Sequence, residues 1–494
     1  MSTLSQQIND RFAASERALA NRALWFMLAG ALLAFQAFLI WSHKPWADEL
    51  QALMIALEAS DQATLLAWLR YEGHPPLWYW LLSALGAVCE PHLILPLAAT
   101  LCAGIAQGAI LFGSPFSRIE RLLIASSQYV LFEFLTISRG TSLGVALVTL
   151  VLLGWRSKWF WLLLALLPLV DFLFGVISGV FLVLKWREKD LWWPGVGLWL
   201  AGSAVAAWTV LPPADMVNAI DAMQRLHGID LLLHNARGWF LKVGSIPLPF
   251  PGGMFPEWKA PVVPIAGYAW ILFLALCWYA TKGRPWHALM MFGFLGFTLL
   301  FNLAVYSIGL RHMLLAALLL IALVWLARRE SDPPSAAFRV WIAVAAICGF
   351  ASSLISTERG FSNGEEVLAA IEERGLAGKH WIALPEWRVP AISGRSDIVF
   401  TRPEANCRFR FVRWDHKSNA LQGQDEFTAM LRQTVDEHGR SYLASDINLL
   451  GFDAGLVEKL ETIPAGYDGI TFHLYVIGPQ APEKAVDLPF CYEA

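Results

Sequence analysis

Ala23-Leu24-Trp25-Phe26-Met27-Leu28-Ala29-Gly30-Ala31-Leu32-Leu33-Ala34-Phe35-Gln36-Ala37-Phe38-Leu39-Ile40-Trp41-Ser42 is an uncharged apolar run. Just beyond it, Pro45-Trp46-Ala47-Asp48-Glu49-Leu50 sets two carboxylates side by side. An α-helix needs about 20 apolar residues to cross the bilayer hydrocarbon, and 23–42 supplies them. The run is too long for a signal-peptide core, and no small-residue cleavage site follows it, so it is read as a retained anchor. Arg11, Arg17 and Arg22 precede it. By the positive-inside tendency, segment 1–22 is expected in the cytoplasm and the Asp48-Glu49 loop outside.

The rest of the chain follows this pattern. Of its 494 residues 56% are hydrophobic and 16% charged, with a mean hydropathy of +0.49. Soluble proteins carry about 25% charged residues, so the reading is a polytopic α-helical membrane protein. A net charge of −3 leaves no basic footprint for nucleic acid. The 24 Trp residues suit a chain that meets the membrane–water interface many times. Six cysteines without CxxC spacing indicate neither a zinc ribbon nor a redox pair.

Leu50, Leu53, Met54 and Leu57 repeat at helical spacing, with Glu49, Gln51 and Glu58 off the stripe. This predicts an amphipathic helix along the membrane surface. Glu72-Gly73-His74-Pro75-Pro76 breaks a second one, and the short piece 77–89 is expected to be interfacial or re-entrant. Further spans are expected at 93–113, 121–137, 141–155, 158–170, 172–185 and 191–211, then at 263–281, 286–306, 310–327 and 337–356. This count of about 11 spans puts Arg118, Arg121, Arg156, Lys158, Lys185–Lys189, Lys282, Arg284, Arg328 and Arg329 on the inside. The membrane domain is thus 23–356, with outer loops 43–92 and 212–262. From 357 to 494 the composition becomes soluble. Helices at Gly364–Gly375 and Gln424–Glu437 and strands at Trp381–Leu384, Arg408–Trp414 and Thr471–Ile477 predict a small extracytoplasmic α/β domain. It has no GxGxxG or Walker A pattern. Cys407 and Cys491 either pair in an oxidising exterior or stay as independent thiols.

Several ionisable residues are expected on the outer side. Asp48 and Glu49 either complement a helix dipole or carry chemistry. His74 precedes a Pro-Pro helix start. Arg139, in Ser138-Arg139-Gly140, and Arg311-His312 stand outside, where arginine suits phosphate through its planar fork of donors, or snorkels to lipid headgroups. Lys242 and Arg237 in the long loop are weaker candidates. Asp171 reads either as lining a cavity or, more simply, as a loop tip between short helices, and His227 and His234 lack clustered carboxylates, so no metal site is expected there.

Together, Trp46-Ala47-Asp48-Glu49-Leu50 after the first span, Gly73-His74-Pro75-Pro76-Leu77-Trp78-Tyr79, Ser138-Arg139-Gly140 and Arg311-His312 carry a resemblance. Over about residues 20–330 the chain resembles the polyprenyl-phosphate-sugar-dependent glycosyltransferases of the C-type membrane fold. These include protein O-mannosyltransferases and the bacterial aminoarabinose transferase acting on lipid A. The resemblance implies an inverting hexosyl- or pentosyltransferase of the bacterial inner membrane, with its C-terminal domain in the periplasm. Its donor would be a polyprenyl-phosphate sugar among the membrane lipids, and its acceptor an envelope glycan, lipid or protein. Asp48 would then be the base and Glu49 its helper. Arg311, His312 and Arg139 would hold the donor phosphate, with His74 and Lys242 binding substrate. Thr141 and Ser142 replace the aromatic residue common there, and no acidic residue lies beside Arg139. No cofactor is expected, and a divalent metal is left open. The competing reading is a transporter or lipid flippase lined by the same charges, although no internal repeat is visible. A third is an assembly or sensor protein.

Overall fold

The structure, a computed structural model, describes residues 2–214, 216, 228–249, 263–305, 307–330, 334–415, 423–449, 451–453 and 455–492. Among these residues, five helices are long and apolar enough to cross a membrane. They are Arg22–Ser42, Pro91–Gly113, Pro285–Ala304, Leu310–Arg329 and one that starts at Ala336. Leu77–Gly86, Gly140–Leu153, Trp159–Leu169 and Tyr268–Thr281 are shorter apolar helices. Asn21 starts the first long helix, its side-chain oxygen accepting from the backbone N–H groups of Ala23 and Leu24. Leu310–Arg329 is the central element, with 89% of its apolar window buried, against 33% for Arg22–Ser42 at the periphery.

Several expectations need correcting. The stretch 121–137 is not one helix. Arg118–Ala125 stops at Ser126-Ser127, and a wide π-helical turn, Gln128–Phe134, follows. Backbone freed inside an apolar body must be satisfied by protein groups. Here Gln36 donates to Leu131 O and Gln107 to Ala125 O, at 3.2 and 3.0 Å. Gly349, in the Ala336–Arg359 helix, crosses directly over this break, where an added Cβ would lie 2.3 Å from Ser126 O. The break delivers Ser138 and Arg139 to the site described below.

The supposed surface helix, Ala47–Glu58, is enclosed. Ala52, Ile55 and Ala56 are buried together with Leu50, Leu53 and Met54, while Leu57, part of the expected stripe, is 36% exposed. Small alanines widen the apolar face of this helix beyond the expected stripe, and that wider face seeks cover. The C-terminal unit supplies that cover. Pro390–Ser393 packs on the helix, and Gly394 comes so near that a Cβ there would lie 2.8 Å from Leu50 Cβ. Segment 212–262, read as an outer loop, contains the helix Gly228–Ser245, which packs on Val263–Thr281 and Pro285–Ala304. Trp239 Nε1 donates to Thr298 Oγ1 at 3.2 Å and anchors it. Segments 217–227, with His227, and 250–262 lie outside the described residues.

The Ala336–Arg359 helix ends at Gly360, whose φ of 73° turns the chain into the C-terminal unit. This unit is a six-stranded sheet ordered β3-β2-β1-β4-β6-β5, with β1 Trp381–Leu384, β2 Phe400–Arg402, β3 Cys407–Phe409, β4 Ser441–Ser445, β5 Val457–Ile463 and β6 Phe472–Ile477. β1 runs parallel to β2 and β4, and the other pairs are antiparallel. Helices Gly364–Glu373 and Gln424–His438 form close to the predicted bounds. The strand expected at Arg408–Trp414 is only Cys407–Phe409. Cys407 and Cys491 are disulfide-bonded, with Cα atoms 5.0 Å apart. One continuous apolar core runs from the long helices into this sheet through Leu50, Trp381 and Phe411.

Candidate functional site

The N-terminus of the Ala47–Glu58 helix organises the site. Glu49 is fully buried, and its carboxylate accepts from Trp46 N at 3.0 Å and from Ser138 N at 2.6 Å, with His43 Nε2 at 2.8 Å. It ties the turn from His43 to Trp46 to Ser138, 89 residues further on. These bonds position Asp48 and Arg139, which fits a helper that orients Asp48.

Asp48 points the other way, with 46% of its side chain exposed, and its Oδ2 lies 2.5 Å from Arg139 Nη1. The Arg139 guanidinium sits 5.8 Å from the centre of the Trp46 ring, and that of Arg311 sits 4.6 Å from the same ring. Trp46 is 2% exposed, so its indole holds both cations at one place. Such a contact contributes about 0.5–2 kcal/mol each. Two like charges over one ring repel, and carboxylates offset this. Asp48 meets Arg139, and buried Glu133 lies 3.6 Å from Arg311 Nε. Desolvation works against an ionised Asp48, but the Arg139 and Arg311 charges and the Arg139 hydrogen bond outweigh it and hold its carboxyl below the usual range.

A second carboxyl stands beside the first with the opposite tendency. Glu72 accepts from Gln51 Nε2 at 2.7 Å. Burial pushes it up to about 7; the Gln51 bond opposes this, the Asp48 charge adds to it, and Arg139 opposes it. Gly73, with φ at 66°, ends the Gln62–Glu72 helix in the left-handed region and lets His74-Pro75-Pro76 turn back. His74 joins the cluster. Burial, then Arg139, pushes its imidazole down to about 4, so the ring is neutral near pH 7. Two carboxyls of opposed tendency, one ionised and one titrating near neutrality, are an arrangement suited to acid–base work.

Further residues hold this cluster in place. Lys242 Nζ donates to Ile308 O at 2.7 Å, and Ile308 N donates to Asn302 Oδ1 at 2.9 Å. Lys242 therefore fixes the segment that presents Arg311. His312 Nε2 lies 3.8 Å from Asp171 Oδ2, and Asp171 caps the Phe172–Arg187 helix through Leu173 N. Asp171 does stand at the junction between two short helices, but it is buried, 8% exposed, and burial pushes its carboxyl up to about 6.

The C-terminal unit closes the arrangement from the other side. Gln51 exchanges two hydrogen bonds with the Val412 backbone, at 2.6 and 3.0 Å. Lys44 pairs with Glu366 at 2.5 Å, and Arg395 donates to Pro45 O. Arg388, paired with Asp446 at 2.6 Å, adds positive charge at Asp48. Sequence reasoning missed Glu72 and Arg388. Glu72 had a readable signal, being attached to the His74-Pro75-Pro76 turn. Arg388 had none, because only the docking of two units brings it near.

The structure thus unites Asp48, Arg139, Arg311 and His74, places His312 at the Asp171 edge, and sets Glu49 and Lys242 behind as supports. Comparison with protein-family models, curated proteins and solved structures finds no match to this chain. The apolar helices and their C-terminal sheet define a helical protein of membrane-embedded type.

Proposed function

We propose that the protein transfers a sugar from a polyprenyl-phosphate donor to an extracytoplasmic acceptor. The observation that carries this is the meeting of Asp48, Arg139 and Arg311 around Trp46. An anionic lipid phosphate finds two arginines there, and the carboxylate that now occupies one of them is the base the reaction needs. When phosphate takes over the Arg139 donors, Asp48 loses its main partner and becomes more basic as the donor binds. Asp48 then takes the acceptor proton while the acceptor oxygen or nitrogen bonds to the anomeric carbon. The bond from that carbon to phosphate breaks, and its electron pair leaves on the phosphate, where Arg139 and Arg311 stabilise the charge. A single displacement of this kind inverts the anomeric carbon. Glu72, partly protonated near pH 7, offers a hydrogen bond to orient the acceptor. Phosphate is a good leaving group and needs no general acid.

The placement we infer is a bacterial inner membrane crossed about 11 times, with the N-terminus cytoplasmic and the C-terminal unit periplasmic. The Cys407–Cys491 disulfide supports an oxidising location for that unit.

The test is Asp48→Asn in purified protein reconstituted with a polyprenyl-phosphate sugar. Loss of a general base lowers transfer by about 10²–10⁴-fold. Undiminished transfer removes Asp48 as the base. Movement of the lipid-linked sugar between leaflets, with no transfer by the wild type, replaces this reading with transport.

A further inference from the structure

A cleft of about 450 Å³ opens on the C-terminal unit, away from the Asp48 cluster. It lies at the N-terminal ends of β1 and β4, where His380 and Arg440 immediately precede the strands. Arg388 and Asp446 follow the opposite ends of the same strands. Four residues of β1 separate the two places, about 13 Å at 3.3 Å per residue.

Four cationic and two anionic side chains line the cleft, an excess of two positive charges. Two of the cations are already engaged. Lys379 pairs with Glu483 at 2.5 Å, and Lys484 donates to Asp436 O at 2.7 Å. Arg408 and Arg440 are different. Their Nε atoms, and Nε2 of His380, are buried without a hydrogen-bond partner among the described residues. The carboxylate nearest Arg408 is Asp487, 3.8 Å away and fully exposed. Orphaned buried nitrogens are uncommon, and the three side chains that carry these all line one cleft, which points to a ligand there. The wall carrying Arg408 is rigid, since neighbouring Cys407 is bridged to Cys491 and Arg408 exchanges backbone bonds with Pro489 and Cys491 at 2.8 Å. A preformed wall loses little entropy on binding.

The two carboxylates bear on the ligand class. Asp397 and Glu483 repel a bare anion but accept hydrogen bonds from hydroxyl groups. The volume falls in the range of small-molecule sites. We propose that this cleft binds an anionic sugar, a hexose bearing a phosphate or carboxylate, held by Arg408, Arg440 and His380 at its anion and by Asp397 at its hydroxyls. This stands independently of the transfer reaction above.

Calorimetric titration of the full, detergent-solubilised chain tests it, with glucose 6-phosphate, glucuronate, glucose and inorganic phosphate as probes. Both sugar acids bind, glucose and phosphate bind at least tenfold more weakly, and Arg408→Gln with Arg440→Gln weakens glucose 6-phosphate at least tenfold. Asp397→Asn, at an exposed position that does not endanger folding, brings glucose 6-phosphate toward the affinity of phosphate. Binding of neither sugar acid overturns the proposal, as does equal binding of phosphate and glucose 6-phosphate. Affinity unchanged in the double arginine variant also overturns it.

Discussion

Asp48 and Glu49 are neighbours in the chain with separate tasks, because consecutive side chains on a helix diverge by about 100°. Replacing Glu49 by alanine strands the Trp46 and Ser138 N–H groups and removes a buried anion. The expected cost is about 3–5 kcal/mol, seen as a lowered melting temperature of the solubilised protein. Asp48→Asn lies at a half-exposed position and leaves most of the melting temperature in place. Equal thermal loss in the two variants would contradict this division. Glu72 makes a pH prediction. Folding raises its pKa from 4.5 to about 7, so between those values the folded state holds more protons than the unfolded one. Stability from this group is therefore full at the acid end of that window and declines as pH rises through it. Asp468, pushed up to about 7 by burial, acts in the same direction. The readout is thus the difference between wild type and Glu72→Gln, which has the shallower decline of melting temperature across the window. Parallel profiles would show that Glu72 is not protonated in the fold.

The elements answer to covalent and steric constraints. The disulfide closes a loop of 84 residues, for which chain entropy predicts about 4.5 kcal/mol of stabilisation. Cys407→Ser with Cys491→Ser is expected to lower the unfolding transition of the C-terminal unit by about 2–5 kcal/mol. Non-reducing mass spectrometry of the wild type that found the thiols of Cys407 and Cys491 free would remove the premise. Gly349 and Gly394 each admit a backbone or side chain where a Cβ would collide, one at the Ser126 break and one on Leu50. The short strands β2 and β4 illustrate what pattern reading misses. Ser441-Tyr442-Leu443-Ala444-Ser445 is buried at every position, yet its small and polar residues carry no alternation to read.

For the whole molecule, the decisive feature is that the C-terminal unit rests on the Ala47–Glu58 helix through Pro390–Ser393 and brings Arg388 toward Asp48. On the proposed topology, a cysteine placed at exposed Glu372 in intact cells should react with a membrane-impermeant maleimide once the outer membrane is made permeable. Labelling only after the inner membrane is broken would put this unit, and with it the Asp48 cluster, on the cytoplasmic side.

What the sequence determined alone was local. Long uncharged runs become helices because their backbone must bond to itself, and Asn21 and Gly360 mark where two of them start and stop. The acidic pair, the His-Pro-Pro turn and the two arginines were also visible as residues. Tertiary structure alone decided which of them meet. Glu49 turned inward because Ser138, 89 residues away, needed an acceptor. Arg139 and Arg311 converged because one buried indole accommodates both. Glu72 and Arg388 entered the cluster through burial and domain docking. Such effects act across space between segments distant in the chain, and no window along the sequence contains them.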